Sequence, residues 1–187
     1  MSNKKGLDLA FTLWNLFTSL ACILACVYAV RFSQDSFFTL SSIMVIIALT
    51  VGMVYVFMGF TKDAAPYLRY FMGFAALSEL ASIADVANMN VTPFGACFGA
   101  VIYGVYIILT VGKDLGKKQS LLLCVILLVL SVVMLIGSIS SFPGLVLGGN
   151  TQGTLYMIRS AAKVCLATTA LLAIYAKYVD KASRGTK

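Results

Sequence analysis

Six apolar runs, each long enough to cross a lipid bilayer, dominate this sequence. A membrane-spanning helix needs roughly 17 to 25 residues at a rise of about 1.5 Å each. Runs of that length lie at 8–30, 37–60, 66–88, 93–111, 120–140 and 154–178. Since 60% of the 187 residues are hydrophobic and only 11% are charged, the composition is far from that of a soluble domain, in which about 25% are charged. The sequence therefore predicts an all-α polytopic membrane protein, a single domain over 1–187 with six transmembrane helices.

The first apolar run follows Lys4 and Lys5, an order also found in secretory signal peptides. The run is long enough to span the bilayer, and it lacks a convincing small-residue cleavage site. We therefore expect 8–30 to be retained as the first helix.

The lysines and arginines between the spans and near their ends predict the orientation. If six helices alternate in direction, only Arg31 falls on the side opposite the N-terminus. Because positive residues concentrate in cytoplasmic loops, we expect N-in/C-in topology, with both termini cytoplasmic, at the plasma membrane. Attraction to anionic lipid explains this basic bias, and nucleic acid is not an expected partner because no soluble domain accompanies the short basic segments. Eleven basic residues fall on the N-terminal side: Lys4, Lys5, Lys62, Arg69, Lys113, Lys117, Lys118, Lys177, Lys181, Arg184 and Lys187.

Two of the runs carry charged residues well inside the expected bilayer. Arg159 and Lys163 lie on the sixth run, and Glu79 and Asp85 lie on the third. Each such charge costs at least roughly 2.5 to 3.5 kcal/mol, so it normally pairs or faces a wet cavity. At about 1.5 Å per residue from the outer end, Lys163 and Glu79 both lie roughly 13 Å deep, Arg159 roughly 7 Å and Asp85 roughly 4 Å. We expect Glu79 to pair with Lys163, and Asp85 to meet either Arg159 or solvent at the outer mouth.

These four residues are the predicted solute-binding site, and two interpretations of them stay open. Intramembrane ionisable groups usually bind solutes or relay protons, which favours a channel or carrier for a small polar solute or ion. Two cations near one acid then favour an anionic or zwitterionic solute. Alternatively, the charges form a static ion pair that fixes how the third and sixth helices pack.

A weak internal repeat also relates the third and sixth runs. The repeat indicates two inverted halves of three helices, 1–89 and 90–187, as in many transporters whose sites lie at the repeat interface. A shift of 86 residues places Tyr70, Ala75, Ala76, Leu80, Ala81 and Ala84 on Tyr156, Ala161, Ala162, Leu166, Ala167 and Ala170.

Small residues spaced by four predict close helix packing. Gly95 and Gly99 form a G-x-x-x-G pattern on the fourth run, and Ala21, Ala25 and Ala29 form a stripe on the first. Such residues let another backbone approach closely. They serve packing within the chain, contact with a second copy, or docking of a partner membrane subunit.

The size, the six spans, the inward termini and the alanine stripe resemble the substrate-binding membrane subunits of energy-coupling-factor vitamin transporters. The resemblance is architectural and carries over no site residues. It implies a binding subunit that depends on partner proteins, as an alternative to a stand-alone channel or carrier. An accessory or purely structural membrane subunit is a third class.

Enzymatic chemistry is not expected. The chain has no histidine, which excludes a His-based triad or metal site. The segment 112–118 contains glycines and lysines without the P-loop spacing. We therefore predict no catalytic residues, no metal site and no cofactor. The five cysteines, dispersed on spans, are typical of apolar packing residues: Cys22, Cys26, Cys97, Cys124 and Cys165.

The segment 141–153 is uncharged and rich in glycine. Its composition predicts an outer loop, which either lies on the surface or re-enters the membrane.

Overall fold

The computed structural model describes the backbone of residues 2–58, 65–87, 94–111, 115–146 and 151–176. Side chains are described for 12–58, 66–84, 95–111, 115–136, 139 and 153–176. Over these ranges the chain is all-helical, as the sequence predicts. The helices are α1 (Ser2–Phe32), α2 (Ser36–Phe57), α3 (Ala65–Ala87), α4 (Phe94–Thr110), α5 (Lys117–Val146) and α6 (Thr151–Ile174).

Four of these helices contain stretches long and apolar enough to cross a membrane. The stretches are Thr12–Phe32, Ser36–Phe57, Lys117–Ile136 and Gly153–Ile174. They are consistent with a multi-pass membrane protein. Helix α4 is apolar but has only 17 residues, and the described part of α3 is not among the four stretches. Spans by α3 and α4, and the orientation of the termini, stay predictions.

Helix α5 is longer than expected at its C-terminal end. It continues to Val146, so the backbone of 141–146, predicted as part of an outer loop, is helical and includes Pro143. Helix α6 begins at Thr151, which leaves only 147–150, outside the described residues, between the two helices. The Pro-Gly pair at 143–144 predicts a break, but in an apolar environment a helix that keeps its backbone hydrogen bonds is favoured over an irregular loop, and proline is tolerated there.

Contacts show that two pairs of neighbouring helices run antiparallel. Asn15 Nδ2 donates to Thr169 Oγ1 at 3.0 Å, and the Ser19 hydroxyl lies 3.8 Å from Cys165 Sγ, so residue numbers rise along α1 as they fall along α6. Ser41 of α2 contacts Ser78 and Ser82 of α3, whereas Gly52, further along α2, lies against Phe71, which shows the same for α2 and α3.

The helices form a closed ring in chain order. Consecutive helices are neighbours and α6 returns to α1, while α6 also reaches α2 and α3 across the middle. The buried core draws on every helix; representative members are Cys26, Leu49, Phe71, Tyr103, Leu127 and Leu166.

The outward faces of the ring are apolar. Trp14 is 68% exposed, Phe57 83%, Ile108 73% and Leu122 63%. Soluble monomers rarely expose large contiguous apolar patches. The surface therefore fits contact with lipid acyl chains.

Gly52 marks the point where α2, α3 and α6 meet. A Cβ atom there would lie 2.9 Å from Phe71 Cδ2 and 3.3 Å from Thr169 Cγ2. The absence of a side chain lets the α2 backbone pack directly against the Phe71 ring and the Thr169 methyl group.

We expect Gly52→Ala to lower the free energy of unfolding by about 1–3 kcal/mol, because the added methyl group forces the Phe71 ring to shift. Thermal unfolding in detergent measures the change. Gly104→Ala is the matched control, since nothing lies within 4 Å of a Cβ at that position. Equal stability of the two variants would contradict the close approach at Gly52.

Candidate functional site

Lys163 and Glu79 meet at the centre of the ring. Lys163 lies about 18 Å along α6 from Thr151, close to the middle of the helix. Its Nζ atom is 2.7 Å from Glu79 Oε2. The Glu79 side chain is 0% exposed and that of Lys163 is 11% exposed. The sequence predicted this pair because Glu79 and Lys163 lie at equal depth on α3 and α6, and the structure brings the two residues together.

Serine hydroxyls connect this ion pair to α2. Lys163 Nζ also donates to Ser82 Oγ at 2.5 Å, and Ser82 Oγ lies 2.7 Å from Ser41 Oγ. The Ser41 and Ser82 hydroxyls lie 3.0 and 2.9 Å from the Ser78 carbonyl oxygen, which accepts from them. We call Ser41, Ser78, Glu79, Ser82 and Lys163 the central polar cluster. It ties α2, α3 and α6 together.

Sequence reasoning missed the serines of this cluster. A signal for Ser82 was present, because it lies three residues after Glu79 and therefore on the same helical face. No sequence pattern identified Ser41, whose place depends on how α2 packs against α3.

The second carboxylate oxygen of Glu79 faces α4. Within the described part of the chain, Glu79 Oε1 has no hydrogen-bond partner. A Cβ at Gly99 would lie 3.1 Å from Glu79 Cγ, 3.2 Å from Cδ and 3.4 Å from Oε1. The backbone of α4 therefore packs directly against the carboxyl group.

Tyr103 lies one turn beyond Gly99 on α4 and is completely buried. Its hydroxyl also has no hydrogen-bond partner among the described residues. Buried polar atoms usually have a hydrogen-bond partner, so each exception calls for an explanation. Glu79 Oε1 and the Tyr103 hydroxyl are two such exceptions, and they lie on adjacent helices.

Arg159 lies one turn before Lys163 on α6 and is 5% exposed. Its guanidinium carbon lies 4.5 Å from the Phe38 ring centroid and 4.7 Å from that of Tyr156. Such cation–π contacts stabilise a desolvated cation. Arg159 thus lies between the aromatic rings of Phe38 on α2 and Tyr156 on α6. The sequence did not predict this position. The side chain of Asp85, and with it the expected Asp85–Arg159 contact, lies outside the described residues.

Some of the small residues in the predicted packing patterns contact other helices of the same chain. Gly99 packs against Glu79, whereas a Cβ at Gly95 would meet nothing within 4 Å. Ala29 is buried in a cluster with Phe38 and Leu155. Ala25 is half-buried and Ala21 is exposed.

Two grooves in the described structure lie away from the central polar cluster. A groove of ≈ 670 Å³ between α1 and α2 is lined only by apolar side chains, and a second, of ≈ 460 Å³, lies at the α1–α2 connection; Lys163 lines neither. Among the described side chains, no group of three or more potential ligands is placed to hold a metal ion.

Comparison of the chain with protein-family models, with curated proteins and with solved structures gives no match. Its function is therefore derived from its own residues.

A double-mutant cycle measures how strongly the pair couples α3 to α6. We expect Lys163→Met alone to destabilise the protein by roughly 3 to 5 kcal/mol, because the buried Glu79 carboxylate loses its partner. Glu79→Gln/Lys163→Met should recover most of that loss in thermal unfolding. If the losses of unfolding free energy caused by the two substitutions simply add, the pairing is contradicted. Thr50→Ala is the control for a neutral change, because the exposed Thr50 hydroxyl bonds only within α2.

Proposed function

We propose that this protein is a channel or carrier that moves a small polar solute, anionic or zwitterionic, through the centre of the helix ring. The observation that carries the proposal is the ion pair of Glu79 and Lys163, buried at mid-depth and surrounded by serine hydroxyls. In this proposal all six helices span the plasma membrane and both termini are cytoplasmic.

Lys163 is the solute's primary contact in this proposal. An ammonium group on a flexible four-carbon chain can turn from one anionic partner to another. In the solute-free protein Glu79 neutralises Lys163. In the loaded protein an anionic group of the solute takes over part of that role, and the hydroxyls of Ser82 and Ser41 supply further polar contacts.

The helix arrangement supports movement around this centre. Glu79 lies in the first three helices and Lys163 in the last three, so the pair joins the two halves that the weak repeat predicts. In transporters built from inverted halves, the substrate site lies at their interface and the halves rock around it. The complete burial of Glu79 fits an occluded state of such a cycle.

A structural or partner-dependent subunit is the second candidate. It is favoured by the engagement of Lys163 with both Glu79 and Ser82, and by the link from Ser82 to Ser41 on a third helix. In that case the ion pair fixes how the helices pack. Ala21, which is exposed, and Gly95 are then the small residues against which a partner helix or a second copy of the chain packs closely.

Uptake by phosphatidylcholine vesicles containing the purified protein separates the two candidates. With radiolabelled L-lactate, nitrate and glycine as probes, we expect uptake of at least one above that of empty vesicles. Lys163→Met should abolish this uptake because the solute loses its cation, and Lys163→Arg should retain part of it.

The variant Glu79→Gln/Lys163→Met is the matched control for folding. We expect it to be as stable as the unsubstituted protein but inactive in uptake. Wild-type uptake by this variant would contradict the role of Lys163 in transport and would leave the ion pair a role in helix packing.

A further inference from the structure

We propose that the solute is a monovalent anion that enters together with one proton, and that the proton binds Glu79 Oε1. This inference rests on the proposed function and assigns its solute class and its coupling ion. Two observations support it. Lys163 Nζ donates to Glu79 Oε2, and Glu79 Oε1 has no hydrogen-bond partner in the described structure.

Charge balance at the centre leads to this coupling. With Glu79 ionised and Lys163 protonated, the pair is neutral overall. An anion bound at Lys163 would give the buried centre a net negative charge, which is costly in a dry, low-dielectric interior. A proton on Glu79 restores neutrality, so the anion and the proton enter and leave together. The proton comes from the side of entry and is released on the side of exit, where Glu79 pairs with Lys163 again.

The geometry at α4 selects Oε1 as the protonated atom. Oε2 is occupied by Lys163, whereas Oε1 has no hydrogen-bond partner in the described structure. Because the Gly99 backbone packs against the carboxyl group, that side has no room for a bulky group but admits a proton.

The same packing disfavours a zwitterion. Both charged ends of a zwitterion, with the atoms between them, would have to fit between Lys163 Nζ and Glu79 Oε2, which are 2.7 Å apart, while Gly99 blocks retreat of Glu79. An anion requires only that Lys163 turn towards it. Lys163 is the less enclosed member of the pair, with 11% exposure against 0%.

The described charged and titratable groups on the helices packed around Glu79 include Lys163 of α6, which contacts it, Arg159 one turn before Lys163 on the same helix, and Tyr103 of α4. Helix α2 brings the hydroxyl of Ser41, which reaches the pair through Ser82. Proton uptake that accompanies anion binding is therefore assigned to Glu79.

Glu79 is the only glutamate in the chain, so a glutamate label reports on it alone. The full chain, labelled with ¹³Cδ-glutamate and reconstituted in phosphatidylcholine, is studied by solid-state NMR at fixed pH in sodium gluconate. We expect sodium nitrate or sodium L-lactate to shift the Glu79 signal from carboxylate to carboxylic acid, and glycine to leave it unchanged.

A carboxylate signal that no anion changes would overturn the inference, as would an equal shift with glycine. A vesicle assay with a pH-sensitive dye in the lumen distinguishes this failure from failure of the proposed function. We expect an inward nitrate or L-lactate gradient to acidify the lumen beyond empty vesicles, and Glu79→Gln to abolish the acidification. Uptake of radiolabelled probe by the wild type without acidification would overturn proton coupling and leave the proposed function intact, whereas no uptake of any probe would overturn both.

Discussion

A charge inside a lipid bilayer must be neutralised within the protein, and the arrangement of this chain follows from that requirement. Lys163 and Glu79 lie on helices far apart in sequence, and their 2.7 Å contact requires α6 to reach across the ring towards α3. Small side chains permit this approach. Gly52 brings α2 against Phe71 and Thr169, and Gly99 brings α4 against Glu79 itself.

The central polar cluster combines tight packing with incomplete hydrogen bonding. On one side, Lys163 and the serines connect α2, α3 and α6 through short contacts. On the other, Glu79 Oε1 and the Tyr103 hydroxyl have no hydrogen-bond partner in the described structure. A static ion pair explains the contacts of Lys163 with Glu79 and the serines. The unpartnered oxygen atoms of Glu79 and Tyr103 are the reason to favour a centre whose protonation and partners change.

The sequence predicted much of the fold because the membrane imposes simple rules. Helix number and approximate positions followed from apolar run length, and the third helix began at the expected place, with Pro66 in its first turn. The meeting of Glu79 with Lys163 followed from equal depth and opposite charge. The predicted end of the fifth helix was wrong because the glycine-rich composition of 141–153 favours a loop in water, whereas a backbone in an apolar environment keeps its helical hydrogen bonds, here as far as Val146.

The surroundings of the pair could not be read from the sequence, since they depend on tertiary packing. Ser41 and Gly99 come from helices with no charged residue near them in sequence, and Arg159 contacts the ring of Phe38, more than a hundred positions away. The inverted repeat, the partner surface and the solute-binding role of Glu79, Asp85, Arg159 and Lys163 stay predictions.

Solid-state NMR can measure the central contact directly in lipid. Glu79 is the only glutamate, so protein labelled with ¹³Cδ-glutamate and ¹⁵Nζ-lysine gives a dipolar coupling that reports only on lysines next to this residue. The 2.7 Å N–O contact predicts a strong coupling that disappears in Lys163→Met. A Glu79 signal with no coupling to any lysine in the bilayer would show that the two charges do not meet, and the account built on their contact would be wrong.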